Sequence, residues 1–198
     1  MEITMKAERI DLFSFRSPQM RVFHMTWLAF FVCFFAWFAI APLMPIIRSE
    51  FQLSQQQIAD SILVSVLFTI IARLGVSYLC DRFGPRLAYT TLLLLGAIPV
   101  IGLAFVHSYR DFLIMRFLIG GLGASFVITQ YHSSIMFAPR IVGTANATTA
   151  GWGNLGGGVT QILMPLGFAA LVSIGLSSSL SWRFCMVASG GLLVIMGY

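Results

Sequence analysis

The chain has 198 residues, of which 58% are hydrophobic and only 10% charged, where soluble domains carry about 25% charged residues. A mean hydropathy of +0.89 excludes a soluble enzyme, a disordered chain and a secreted disulfide scaffold. The net charge of +5 is read as orientation charge rather than as a nucleic-acid surface, because no basic stripe interleaved with aromatics is present. Cys33, Cys80 and Cys185 show no paired or ligand spacing, so neither a disulfide nor a metal site is expected.

The first twenty-one residues carry Lys6, Arg9, Arg16 and Arg21 and read as a polar tail. The tail is too long, and the apolar run after it too extended, for a cleaved signal peptide. A spanning helix needs roughly 20 mostly apolar residues, and residues 22–198 supply six such runs. They lie at about 22–47, 57–79, 87–107, 112–138, 142–174 and 182–198. The connections are short and polar. Ser54-x-x-Gln57 can close the start of the second helix as a capping box. The alternating ten-residue segments of a membrane barrel are not seen. With the amino terminus inside, seven basic residues fall on the inner side and Arg48, Arg110 and Arg183 on the outer, which favours a cytoplasmic amino terminus.

The second run holds an arginine within the membrane. Arg73 stands eight residues before Asp81, about 12 Å deep at helical rise. Such a charge marks a functional site by default. Ser61, Ser65, Thr69, Arg73 and Ser77 recur every four residues and form a winding polar stripe. No carboxylate lies at that depth, so Arg73 requires either another anion or backbone carbonyls. A planar oxyanion suits the guanidinium fork.

Between the second and third runs stands Asp81-Arg82-Phe83-Gly84-Pro85-Arg86, a tight turn in which the charges can pair with each other or with helix ends. In the fourth run Arg116 precedes Gly120, Gly121 and Gly123, and snorkelling to the membrane edge is one of two equal explanations, a family pattern being the other. The fifth run contains Ala150-Gly151-Trp152-Gly153-Asn154-Leu155-Gly156-Gly157-Gly158-Val159-Thr160-Gln161. Gly151, Gly153, Gly156, Gly157 and Gly158 permit close helix packing. Asn154 and Gln161, seven apart, share a face. The sixth run stops at Tyr198 with no polar flank, which predicts a truncated sixth helix and a chain that is a fragment.

The Asp81–Arg86 turn resembles the loop motif of the major facilitator superfamily, with Ser77 where that motif carries glycine. The fifth-run segment resembles the signature of the nitrate/nitrite porter family within that superfamily. The Ala124-Ser125-Phe126-Val127 and Ile141–Ala147 segments resemble the same family. The resemblance covers nearly the whole chain. It implies an all-α membrane protein, the amino-terminal six-helix bundle of a nitrate/nitrite transporter working by alternating access in a cell membrane. It implies that Arg73 binds the anion, that Asn154 faces it, and that Phe126 stacks on it. Asp81, Arg82, Gly84 and Arg86 would form a conformational latch. A carboxy-terminal half with a second arginine would be the missing partner, and no cofactor is implied. The resemblance leans toward proton-linked uptake. A porter of another small oxyanion and a non-transporting remnant or assembly protein are the alternatives. His132 is expected to be structural.

Overall fold

The computed structural model describes residues 6–15 and 18–198; Arg16, counted above among the orientation charges, lies outside them. It contains six helical segments long and apolar enough to cross a membrane. These are Pro18–Phe51, Gln55–Phe83, Pro85–Phe105, Tyr109–Met136, Val142–Ser173 and Ser178–Gly197. They are called the first to sixth spans here. The first span packs along the fifth, the third along the sixth, and the second against the fourth. Among the described residues there is no strand, only one isolated bridge between Ala7 and Phe137.

Several spans begin or end a turn away from the hydropathy boundaries, because caps rather than hydropathy terminate helices. Pro18 opens the first helix four residues before Val22. Pro is preorganised for such a first position. Ser177 caps the sixth span by accepting a hydrogen bond from the Leu180 amide, so that helix starts at Ser178 instead of Trp182. At the second span the Ser54 hydroxyl accepts from the Gln57 amide at 3.2 Å and the Gln57 side chain accepts from the Ser54 amide at 2.9 Å.

Prolines and glycines divide three of the spans internally. In the first, Pro18–Phe38 gives way to a 3₁₀ turn at Ala41–Leu43 and a short helix at Met44–Phe51. Pro42 and Pro45 there lack the amide protons that would continue the ladder. In the third, Pro99 sits inside the helix. In the fourth, Gly120–Ala124 winds as 3₁₀ helix between Tyr109–Ile119 and Ser125–Met136. That stretch crosses the second span so closely that a Cβ on Gly120 would lie 2.0 Å from the Ser65 carbonyl oxygen. Thr69 fastens the crossing by donating to the Gly120 carbonyl at 2.6 Å.

The core of the bundle is apolar, with Phe30, Phe112, Leu43 and Trp182 fully enclosed. Outward faces are also apolar: Ile70, Ile71 and Leu74 on the second span and Ile162, Leu163 and Leu166 on the fifth are all exposed. A chain with both a buried core and an apolar exterior is solvated by lipid or by further helices.

One end of the bundle is closed by a polar knot. Glu50 accepts hydrogen bonds from Trp182 Nε1 at 2.7 Å and Ser179 Oγ at 2.9 Å, and forms an ion pair with Arg183 at 2.7 Å. Arg183 also donates to the carbonyls of Ala104 and Val106, at 2.8 and 2.9 Å. The first, third and sixth spans are thereby joined through one guanidinium. At the opposite end the tail segment docks on the fourth–fifth turn. The Ala7 amide donates to the Met136 carbonyl and the Ala138 amide to the Ala7 carbonyl, both at 2.9 Å.

Candidate functional site

The polar stripe of the second span divides along its length. Ser61, Ser65 and Thr69 are buried inside the bundle, where the Ser65 hydroxyl accepts from Trp37 Nε1 at 2.9 Å. Arg73 and Ser77 are exposed. The division follows from helix geometry. A four-residue step advances about 400° around an α-helix, so each step drifts about 40° and the stripe has turned well out of the bundle by Arg73.

Arg73 turns toward the fourth span. Its guanidinium carbon stands 5.7 Å from the centroid of the Phe126 ring, within the range of a cation–π contact. Among the described residues the guanidinium has no ion-pair partner. Phe126 is half-buried and meets Phe30 of the first span edge-on, with centroids 5.8 Å apart. Phe30 in turn lies on Gly153, where a Cβ would be 1.8 Å from the Phe30 ring. Asn154, the next residue, is exposed and donates from Nδ2 to its own helix at the Ala150 carbonyl, at 2.8 Å. Arg73, Phe126, Phe30 and Gly153 thus form one line of contacts through four spans. Asn154 stands at its far end, its side-chain amide turned to the Ala150 carbonyl rather than to Arg73.

Phe30 is the member that the sequence does not single out. It is one of 18 phenylalanines, and no motif or spacing marks it. Its role as a bridge exists only because Gly153 lets it lie flat on the fifth helix. One turn away, Trp27 and Trp152 continue the first–fifth contact, their ring centroids 5.7 Å apart.

The five glycines of the fifth span divide in the same way. A Cβ on Gly156 would lie 2.1 Å from the Phe31 carbonyl oxygen, and one on Gly157 would lie 3.2 Å from the Phe38 ring. Gly153 and Gly156 therefore face the first span, Gly156 at its backbone and Gly153 at the Phe30 ring. Gly151 and Gly158 have nothing within 4 Å and turn to the open face with Asn154 and Gln161.

Asp81 and Arg82 occupy the last turn of the second helix. Gly84 at φ 83° makes the corner, and Pro85 starts the third span. Arg82 donates to the Tyr78 hydroxyl at 2.6 Å. No ion pair joins Asp81 to Arg82 or Arg86 among the described residues, where Arg183–Glu50 is the ion pair found. His132 meets Thr26 of the first span at 3.0 Å. Because the Thr26 hydroxyl donates to the Val22 carbonyl, His132 Nδ1 is the donor of that pair. Arg116 is buried, and its Nε lacks a partner.

The described residues thus form a helical bundle of six candidate spans with Arg73, Asn154 and Gln161 exposed on its surface. The chain belongs to the Major Facilitator Superfamily, which it matches over residues 26–198. Within it, the chain is 41% identical over 185 residues to the high affinity nitrate transporter 2.5 of Arabidopsis thaliana, covering 93% of this chain and 37% of that protein. It is 41% identical over 186 residues to the high-affinity nitrate transporter 2.3 of Oryza sativa subsp. japonica, covering 94% of this chain and 36% of that protein. It is 34% identical over 186 residues to the nitrate/nitrite transporter NrtP of Nostoc punctiforme, covering 94% of this chain and 37% of that protein. The chain therefore spans little more than a third of the length of these relatives.

Proposed function

We propose that this bundle forms one wall of a nitrate/nitrite carrier, with Arg73 as its anion-binding residue. The observation that carries the reading is Arg73 itself, a guanidinium on the open face against the Phe126 ring, with no ion-pair partner among the described residues. An uncompensated charge at membrane depth is costly, and a monovalent anion entering the cavity would relieve that cost. The guanidinium offers two parallel donors to the edge of a planar oxyanion, and Phe126, backed by the enclosed Phe30, offers an apolar wall. Asn154 adds donors from the fifth span once its side chain turns from the Ala150 carbonyl.

Residues 22–198 form the membrane bundle in this reading, and residues 1–21 a cytoplasmic tail. The protein resides in a cell membrane with its amino terminus inside, as the distribution of basic residues favours. Alternating access requires a second wall that rocks against the first about a midplane site. Here that wall is a carboxy-terminal six-helix half carrying a second arginine. The Asp81–Arg86 turn is the latch of the motion: Asp81 has no ion-pair partner among the described residues and would take one from the opposing half.

The test is anion binding to the purified chain, followed as thermal stabilisation in detergent by nitrate, nitrite, chloride and sulfate. Nitrate and nitrite are expected to stabilise the chain selectively. Charge-assisted hydrogen bonds contribute roughly 1.5–3 kcal/mol, so Arg73→Ala is expected to weaken binding at least about tenfold. Selective stabilisation that survives in Arg73→Ala would overturn the assignment.

A further inference from the structure

The bundle has an apolar cavity of about 500 Å³ between the second, third and fourth spans, on a different side of the second helix from Arg73. Its origin is readable in the sequence. Gly75 contributes no side chain to its wall, and a Cβ there would meet nothing within 4 Å. Pro99 has no amide proton to give to the Leu95 carbonyl and itself lines the cavity. Leu122 and Phe68 close the floor by lying over Gly96 and Gly121.

Along the third span the cavity runs from Ala88 to Pro99, about 16 Å at helical rise. That is close to one leaflet of a roughly 30 Å hydrocarbon core. On the second span Gly75 and Leu79 line it, and Arg82 continues the same face at i, i+4, i+7. Arg82 uses one guanidinium nitrogen on the Tyr78 hydroxyl and keeps further donors. Arg86 stands across the turn. Two arginines and one aspartate leave this mouth of the cavity net positive, and neither arginine is paired with Asp81 among the described residues.

We propose that this groove is a binding site for an anionic phospholipid, one acyl chain seated between the second, third and fourth spans and its phosphate at Arg82. The slot is apolar, open at the side, one leaflet deep, and cationic at the end where a headgroup lies. An extended peptide segment would bring backbone amides into a wall with almost no polar surface to satisfy them; an acyl chain brings none.

The experiment uses the full chain purified in detergent. Phosphatidylglycerol and phosphatidylcholine with identical chains are titrated, with retained lipid counted by native mass spectrometry. Glycerol phosphate is the headgroup-only probe. One phosphatidylglycerol is expected to remain bound, preferred over phosphatidylcholine about fivefold, the effect of one arginine at an anionic surface. Gly75→Leu, which fills the slot, is expected to abolish retention of both lipids, whereas Gly191→Leu, also with open space at its Cβ, leaves it intact. Arg82→Gln is expected to retain lipid and lose the headgroup preference. Undiminished retention in Gly75→Leu, equal retention of the two lipids by the unsubstituted chain, or saturable binding of glycerol phosphate alone would each overturn the proposal. Should Gly75→Leu fail to fold by circular dichroism, the headgroup preference and its loss in Arg82→Gln decide the matter.

Discussion

At the scale of single residues, Arg73 and Phe126 are coupled, and their substitutions should read differently. Phe126→Leu keeps apolar volume against Phe30 but removes the ring face under the guanidinium. Cation–π contacts contribute about 0.5–1 kcal/mol at exposed sites, so a several-fold loss of nitrate affinity is expected with little loss of thermal stability. Titration of nitrate against both variants checks this, and an unchanged affinity in Phe126→Leu would remove the ring from the site. Arg73 was legible in the sequence because a charge in an apolar helix has few explanations. Phe30 was not, since one more phenylalanine in such a chain carries no mark. Asn154 was legible as a polar residue on a glycine-rich face, but its hydrogen bond to the Ala150 carbonyl was not, because local side-chain bonds compete with distant ones.

At the scale of elements, the first and fifth spans are held by backbone proximity. A Cβ on Gly156 would strike the Phe31 carbonyl oxygen at 2.1 Å, and a main-chain atom cannot swing aside as a side chain can. Gly156→Ala is expected to cost about 1–3 kcal/mol, the usual range for overpacking. Gly158→Ala meets open space and is expected to gain up to about 1 kcal/mol from helix propensity. The pair is compared by thermal unfolding in detergent; equal effects would show that the seam does not depend on close approach. The number of spans and the polarity of their connections were legible from hydropathy alone. Which glycines face the first span was not, because five glycines within eight positions encircle the helix and composition has no phase. The polar stripe winds as its four-residue period requires: the drift carries Ser61, Ser65 and Thr69 into the bundle and Arg73 out of it.

At the scale of the whole molecule, the bundle behaves as a unit because its two ends are tied. The Glu50–Trp182–Arg183 knot joins three spans at one end, and the Ala7 bridge joins the tail to the fourth–fifth turn at the other. Glu50→Ala strands a guanidinium whose side chain is only 14% exposed, and the loss of its charge-assisted bonds is expected to cost about 2 kcal/mol. Arg183→Ala should cost a similar amount, and the double variant little more than either alone, since both remove one network. Strict additivity in unfolding midpoints would show that the knot is not a network. Sequence reading placed Glu50 in the first polar connection and Arg183 at the start of the sixth run. Their meeting depends on the end of the first span lying against the sixth, which nothing in local pattern encodes.

The paired indoles of Trp27 and Trp152 give the bundle an optical handle. They sit one turn from Phe30, on the two helices that Gly156 locks together. The remaining tryptophans are engaged elsewhere: Trp37 with Ser65 and Trp182 with Glu50. Each indole therefore reports a different seam: Trp27 and Trp152 the first against the fifth span, Trp37 the first against the second, and Trp182 the knot. The native emission spectrum, dissected by single Trp→Phe replacements, can tell sliding within the bundle from its rigid tilt, with no label added.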